Sequence, residues 1–202
     1  IARTDSFSAS YGVGNMNYSD NDEKIMIAMD YRNVNTPLRG IVGYSANLDY
    51  SILLGSVLGG RKSKAAFAFD SAYTVNGRDT SQEEHDMLRE AGFTVRLSET
   101  PNRADKQGHV DMAMGFFVDD YVKDNGIDVV ELITGDGDFT PLVERLQRRG
   151  VKVRIHSFKD CMCQIYHEKS DGISYLDPVP MIEMGPVPTV DDTTFVNEEV
   201  TV

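Results

Sequence analysis

Five short apolar runs, separated for the most part by stretches of helical pattern, constrain the fold more than any other feature of this chain. They are KIMIAM (24–29), KAAFAFDSA (64–72), FTVRLSE (93–99), DVVELIT (128–134) and VKVRIHSF (151–158). Each is short and bounded by polar or turn residues, which reads as a buried strand. Between them, NLDYSILLGSVL (47–58) places Leu48, Ile52 and Leu53 on one helical face, with Asn47 as N-cap and Gly59-Gly60 as the stop. SQEEHDMLREAG (81–92) carries a capping-box spacing, Ser81 with Glu84, and ends at Gly92. HVDMAMGFFVDDYVKDNG (109–126) sets Val110, Met114, Phe117, Val118 and Tyr121 at helical spacing. In TPLVERLQRRG (140–150), Thr140 is the expected cap, Pro141 opens the helix and Gly150 ends it. Strands alternating with helices point to an α/β fold whose mostly parallel sheet is covered on both faces. A short helix near 161–169 and a strand in GISYL (172–176) are expected to close the domain.

The chain of 202 residues is expected to form one domain over 23–177, with an extended arm at 1–22 and an acidic, proline-containing arm at 178–202. No run approaches the roughly 18 apolar residues that span a bilayer. No basic segment followed by an apolar one opens the chain, so no secretion signal is expected, and a start at Ile1 points to a trimmed or omitted N-terminus. Cys161 and Cys163 form a lone C-x-C, which reads as two reduced thiols in a cytoplasmic protein. A net charge of −12 argues against a broad, sequence-independent clamp on nucleic acid. It leaves room for a nucleic-acid enzyme, because metal-binding carboxylates add negative charge that bound cations reverse locally.

Asp136 and Asp138, in TGDGDF, stand where the fourth apolar run stops and a helix starts. Ligands bind beyond the carboxyl ends of the strands in an open α/β sheet. Asp30 lies just past the first run, so if the first and fourth strands are neighbours the three acids share one crevice. Asp111, at the start of the helix before the fourth strand, faces that crevice from the side. Four carboxylates at one point stay ionised together only with a cation. Oxygen-only ligands suit Mg²⁺ or Mn²⁺ rather than zinc. Such an ion activates water and stabilises an attacked phosphodiester. Each acid also has a plain role open to it: Asp136 in a turn, Asp138 as a cap, Asp30 as a strand-end acceptor, Asp111 as a first-turn acid. Arg32, Arg39, Arg103 and Lys106 are the cations expected near the crevice, and Tyr31 is placed to stack a base. Arg61, Lys62 and Lys64 belong at the opposite end, and Arg145, Arg148, Arg149 and Lys152 on a solvated face. His109, His156 and His167 either assist catalysis or are ordinary hydrogen-bonded histidines. A phosphatase of the D-x-D type would need paired acids after the first strand, where MDYRN has one.

ITGDGDFTPLVERLQRRGVKVRI resembles the signature of the NYN domain family, a PIN-like group that includes the LabA-like proteins, through Thr134, Gly135, Asp136, Asp138, Phe139, Pro141, Leu142, Val143 and Gly150. IAMDYRNV is similar to the family's opening segment through Asp30 and Asn33. HVDMAMGFFVDDYV matches a second segment through Asp111 and either Asp119 or Asp120, and SDGISYL the closing one through Asp171. The resemblance spans about residues 24–177. It implies a PIN-like, Rossmann-like three-layer sandwich and a metal-dependent ribonuclease site using Mg²⁺ or Mn²⁺, with Asp30, Asp111, Asp136 and Asp138 as metal ligands and catalytic residues. Asn33 and Thr134 support them, and Arg32 and Lys106 contact the RNA. Many relatives carry a basic residue just before the V-D pair; here KQGHVD displaces Lys106 from it. A catalytically weak module acting as a scaffold, a homo-oligomer or docked on a partner through its arms, is the alternative.

Overall fold

In a computed structural model, residues 23–42, 46–72, 74–75, 78–79, 81–99, 106–177 and 181–183 are described. Among the described residues ten strands run in chain order: β1 (Ile25–Asp30), β2 (Ala46–Leu48), β3 (Ser63–Ala72), β4 (Thr74–Val75), β5 (Arg78–Asp79), β6 (Thr94–Glu99), β7 (Val129–Ile133), β8 (Lys152–Ser157), β9 (Gly172–Tyr175) and β10 (Met181–Glu183). The same residues hold the α-helices α1 (Tyr31–Val42), α2 (Tyr50–Leu58), α3 (Gln82–Glu90), α4 (Lys106–Asn125), α5 (Thr140–Arg148) and α6 (Tyr166–Lys169). The main sheet has the order β6-β3-β1-β7-β8-β9, and every pair in it is parallel.

Side chains alternate across the sheet and so divide the core in two. Met26 and Ala28 of β1, Phe67 and Phe69 of β3, Val130 and Leu132 of β7, and Val153 and Ile155 of β8 pack under α4 and α5. Ile27, Met29, Ala66, Ala68 and Ile133 face the other way, against α1, α2 and α3. The result is a PIN-like three-layer α/β sandwich. Every residue of β1 and β7 is buried, as the centre of a parallel sheet covered on both faces requires, and this includes the two acids Asp30 and Glu131. Among the described residues, no helix is long and apolar enough to cross a membrane.

Several local expectations fail for identifiable reasons. Helix α1 follows the first strand directly, where no helix is expected from the sequence pattern. Asn33, Asn35, Pro37 and Gly40 are weak helix formers, yet Tyr31, Val34 and Leu38 fall on one face and are buried. Asn47 belongs to β2, and Asp49 caps α2, accepting from the Ser51 and Ile52 amides at 3.0 Å each. Ile52 is 44% exposed, while Leu48 and Leu53 are buried. Ser81 precedes α3 without a side-chain capping bond, and its hydroxyl accepts from Arg32 Nη2 at 3.0 Å. Thr140 is the first residue of α5 rather than its cap, and its hydroxyl donates to the Gly137 carbonyl at 2.6 Å. Strand β10 pairs antiparallel with β2, so Met181–Glu183 folds back onto the same chain.

Candidate functional site

The C-terminal ends of β1 and β7 lie side by side. Met29 pairs with Ile133, which brings Asp30 and Thr134 to the next step beyond the sheet. Asp30 is completely buried and occupies the position before α1, where its Oδ1 accepts from the Asn33 amide at 3.2 Å. Asn33 then reaches across to the neighbouring strand end: its Oδ1 accepts from the Gly135 amide at 2.7 Å. The loop after β7 is folded by its own residues. Thr134, buried, accepts from the Asp136 amide at 3.1 Å, and Asp136 Oδ1 accepts from the Asp138 amide at 3.0 Å, which opens a 3₁₀ turn over Gly137–Phe139.

The segment after β8 clamps this loop from outside. Cys163 N donates to the Gly135 carbonyl at 3.0 Å, and the Tyr166 hydroxyl donates to the Asp136 carbonyl. Burial, then the nearby Asp136, Cys163 and Asp138, push the Tyr166 hydroxyl above its ordinary range, which keeps it a donor. The closeness of the clamp explains two motif glycines. A Cβ on Gly135 would stand 2.1 Å from the Cys161 carbonyl oxygen, and one on Gly137 would stand 2.7 Å from Cys163 Sγ. Cys161 and Cys163 are both free. Burial and the charges of Asp160 and Asp177 raise the Cys161 thiol, the opposite of what a nucleophile needs.

Asp30, Asn33, Thr134 and Asp136 therefore occupy one corner, with Asp136 half-buried and Asp138 exposed in the same loop. Asp111 sits, half-buried, in the second turn of α4 rather than at its start, on a helix that touches the Gly137–Phe139 turn. The donors are all carboxylates, which fits a hard cation. Among the described residues, however, no three His, Cys, Asp or Glu side chains stand close enough to hold one together. Lys106 opens α4, and Arg103 lies outside the described residues.

Arg32 is drawn toward Asp70 near the end of β3. Its Nε lies 2.8 Å from Asp70 Oδ1, its Nη2 bonds Ser81, and about a third of its side chain remains exposed. Tyr31 is fully buried and cannot stack a base. Asp70, which the sequence reading passed over, is buried and also meets His85 Nε2 at 3.0 Å. It stands one residue past Phe69, the register partner of Asp30, and so meets α1 and α3 on the opposite face of the sheet. Glu131 was missed in the same way; it is fully buried within bonding distance of Arg61 (2.7 Å), Arg154 (3.0 Å) and His156 (2.8 Å). An acid inside an apolar strand was the signal in both places. His156 is thus bonded to Glu131, whereas His109 and His167 are exposed. Of the two acids in the second motif, Asp119 is held by Arg145 at 2.9 Å and Arg149 at 2.7 Å, and the Arg145 bond draws its carboxyl below the usual range. Asp171 accepts from the Val153 amide at 2.7 Å, bracing the edge of the sheet.

With this arrangement in view, the family is clear. The NYN domain signature matches residues 24–171, and the chain belongs to that family of nuclease-like domains. Among solved structures, a protein of unknown function from Vibrio parahaemolyticus is similar, with a TM-score of 0.67 and 28% identity, over 82% of this chain and 99% of that one. No curated protein matches the chain.

Proposed function

We propose that this protein is a metal-dependent endoribonuclease that hydrolyses RNA phosphodiester bonds at the crevice beyond β1 and β7. The observation that carries the reading is the Asn33–Gly135 bond, which locks buried Asp30 beside the loop bearing Asp136 and Asp138. Asp30, Asp111, Asp136 and Asp138 would hold Mg²⁺ or Mn²⁺, and the ion would supply water activation and charge stabilisation at the phosphate. Asp30, buried and bonded at the head of α1, is the fixed ligand; exposed Asp138 is the one with freedom to close on the ion. Asn33 and Thr134 keep the loop in register with Asp30. Lys106, together with the exposed part of Arg32, would meet the RNA backbone. Nothing favours a broad cationic groove, so single-stranded or locally structured RNA is the expected substrate class.

A second reading, a catalytically weak NYN module that scaffolds an oligomer or an RNA-bound complex, is favoured by the dispersed carboxylates and the net charge of −12. Cleavage of end-labelled single-stranded RNA with Mn²⁺ or Mg²⁺ separates the two. Metal-dependent cleavage that disappears in Asp136→Asn supports the nuclease. An absence of cleavage at high enzyme on several RNAs supports the scaffold.

A further inference from the structure

The sheet has a second feature at the same end. A pocket of about 270 Å³ opens between the edge strand β6 and α4, lined by Phe69, Arg96, Leu97, Ser98, Ala113 and Phe117. Its wall is rigid. The Phe117 ring meets Phe67 edge-on at 4.8 Å, stacks with Tyr121 at 5.7 Å and lies 5.6 Å from Phe69. Across it, the Arg96 guanidinium sits 4.0 Å from the Phe117 ring centroid.

Three observations set Arg96 apart. It is exposed, and no carboxylate of the described residues pairs with it, whereas Arg32, Arg61, Arg145, Arg149 and Arg154 are all engaged with acids. It is pre-stacked on an aromatic ring, so its planar face is already oriented. It also lies in the same row as the candidate site, since Arg96 pairs with Phe69 and Phe69 pairs with Asp30. Register partners project from the same face, and two strand spacings put Arg96 about 10 Å from Asp30.

We propose that this pocket seats a nucleobase of the RNA strand next to the scissile phosphate, with the outer face of the Arg96 guanidinium, itself backed by Phe117, giving the stacking surface and Ser98 Oγ bonding the base edge. The inference rests on the ribonuclease reading. Stacking fits a protein with a net charge of −12, because every base offers a π-face whatever its sequence. The pocket is roomy enough for one ring system, and the Arg96 guanidinium also answers the charge of the adjoining phosphate. Exposed Phe116 and Met112 on α4 extend the apolar surface beside it.

Fluorescence anisotropy of a labelled single-stranded RNA in EDTA tests this without cleavage, using the full chain. Arg96 is an exposed edge-strand residue, so Arg96→Ala should fold, and a thermal melt checks that it does. Loss of one base stack predicts binding roughly 5- to 100-fold weaker in Arg96→Ala. Arg96→Lys should recover only part of the loss, since it restores charge without the planar face. An oligonucleotide carrying abasic sites should bind wild type more weakly but make little further difference to Arg96→Ala. Wild-type affinity in Arg96→Ala, no binding of RNA by either protein, or an effect of the substitution confined to oligomeric state would each overturn the proposal. Metal-dependent cleavage with unchanged KM in Arg96→Ala removes the pocket and leaves the nuclease. Base-dependent binding by a protein that cleaves nothing keeps the pocket and removes the nuclease.

Discussion

Replacing Gly135 by alanine adds one methyl where two chain segments already touch. The new Cβ would stand 2.1 Å from the Cys161 carbonyl oxygen, 2.8 Å from its carbon and 2.5 Å from Ser157 Oγ, against an ordinary contact that begins at 3.4 Å. The Cys161 backbone would therefore have to retreat by roughly 1.3 Å relative to that contact distance. It is not free to do so, because Cys161 N donates to the Phe158 carbonyl and Cys163 N to the Gly135 carbonyl, each at 3.0 Å. Overpacking of this kind costs about 1–3 kcal/mol, and weakening one of those bonds adds about 1 kcal/mol. For a chain of this length a total of about 2–4 kcal/mol lowers Tm by roughly 5–15 °C. The same displacement moves the loop that carries Asp136, so RNA cleavage should fall further than stability does at a temperature where the variant is folded. Gly137→Ala is the control: its Cβ meets the tip of a side chain, Cys163 Sγ, which can rotate away, and it should cost only about 1 kcal/mol. Circular-dichroism melts of both variants decide the matter. A Gly135→Ala Tm within a degree of wild type, or a smaller loss than Gly137→Ala, would refute the clamp.

Gly55, inside α2 with nothing within 4 Å of its would-be Cβ, should give the opposite sign: Gly55→Ala is expected to stabilise by about 0.5–1 kcal/mol in urea titrations. Glu131→Gln leaves Arg61, Arg154 and His156 clustered without their shared carboxylate and should destabilise by about 3–5 kcal/mol, read from the urea midpoint. Burial pushes the Glu131 carboxyl up, but the His156 and Arg61 bonds and charges outweigh it and hold its pKa below the ordinary 4.5. Because the folded value lies below the unfolded one, this stabilisation is complete above about pH 4.5 and is lost as pH falls through the folded value, and Glu131→Gln should flatten that part of the acid-unfolding curve. Asp70→Asn strips the counter-charge from Arg32 beside the first strand end; a loss of about 3 kcal/mol in thermal melts is expected.

The central sheet was legible because its strands are short apolar runs that no amphipathic helix would carry. All five fall within a residue or two of their expected limits, and the expected neighbourhood of the first and fourth runs is the β1–β7 pairing. Elements whose order comes from tertiary contact were not legible. Helix α1 is written with Pro37 and Gly40, and forms because Tyr31, Val34 and Leu38 are drawn into the core. Strands β2 and β10 are three residues each and exist only as a pair distant in sequence. At the candidate site, the acids and their strand-end positions could be read from the motifs. For Asp70 the run KAAFAFDSA shows an acid inside a strand but not its partners, because Arg32 and His85 lie on separate helices. The same limit hid the commitment of Arg32 to Asp70 and the burial of Tyr31.

The most direct test is Mn²⁺ binding to the intact protein, followed by isothermal titration calorimetry and electron paramagnetic resonance, for wild type, Asp30→Asn and Asp136→Asn. The account predicts a saturable site in wild type that both substitutions abolish or weaken at least tenfold while the far-ultraviolet circular dichroism stays native. Saturable binding unchanged by either substitution, or no binding by the wild type, would mean that the paired aspartates serve only as caps and turns.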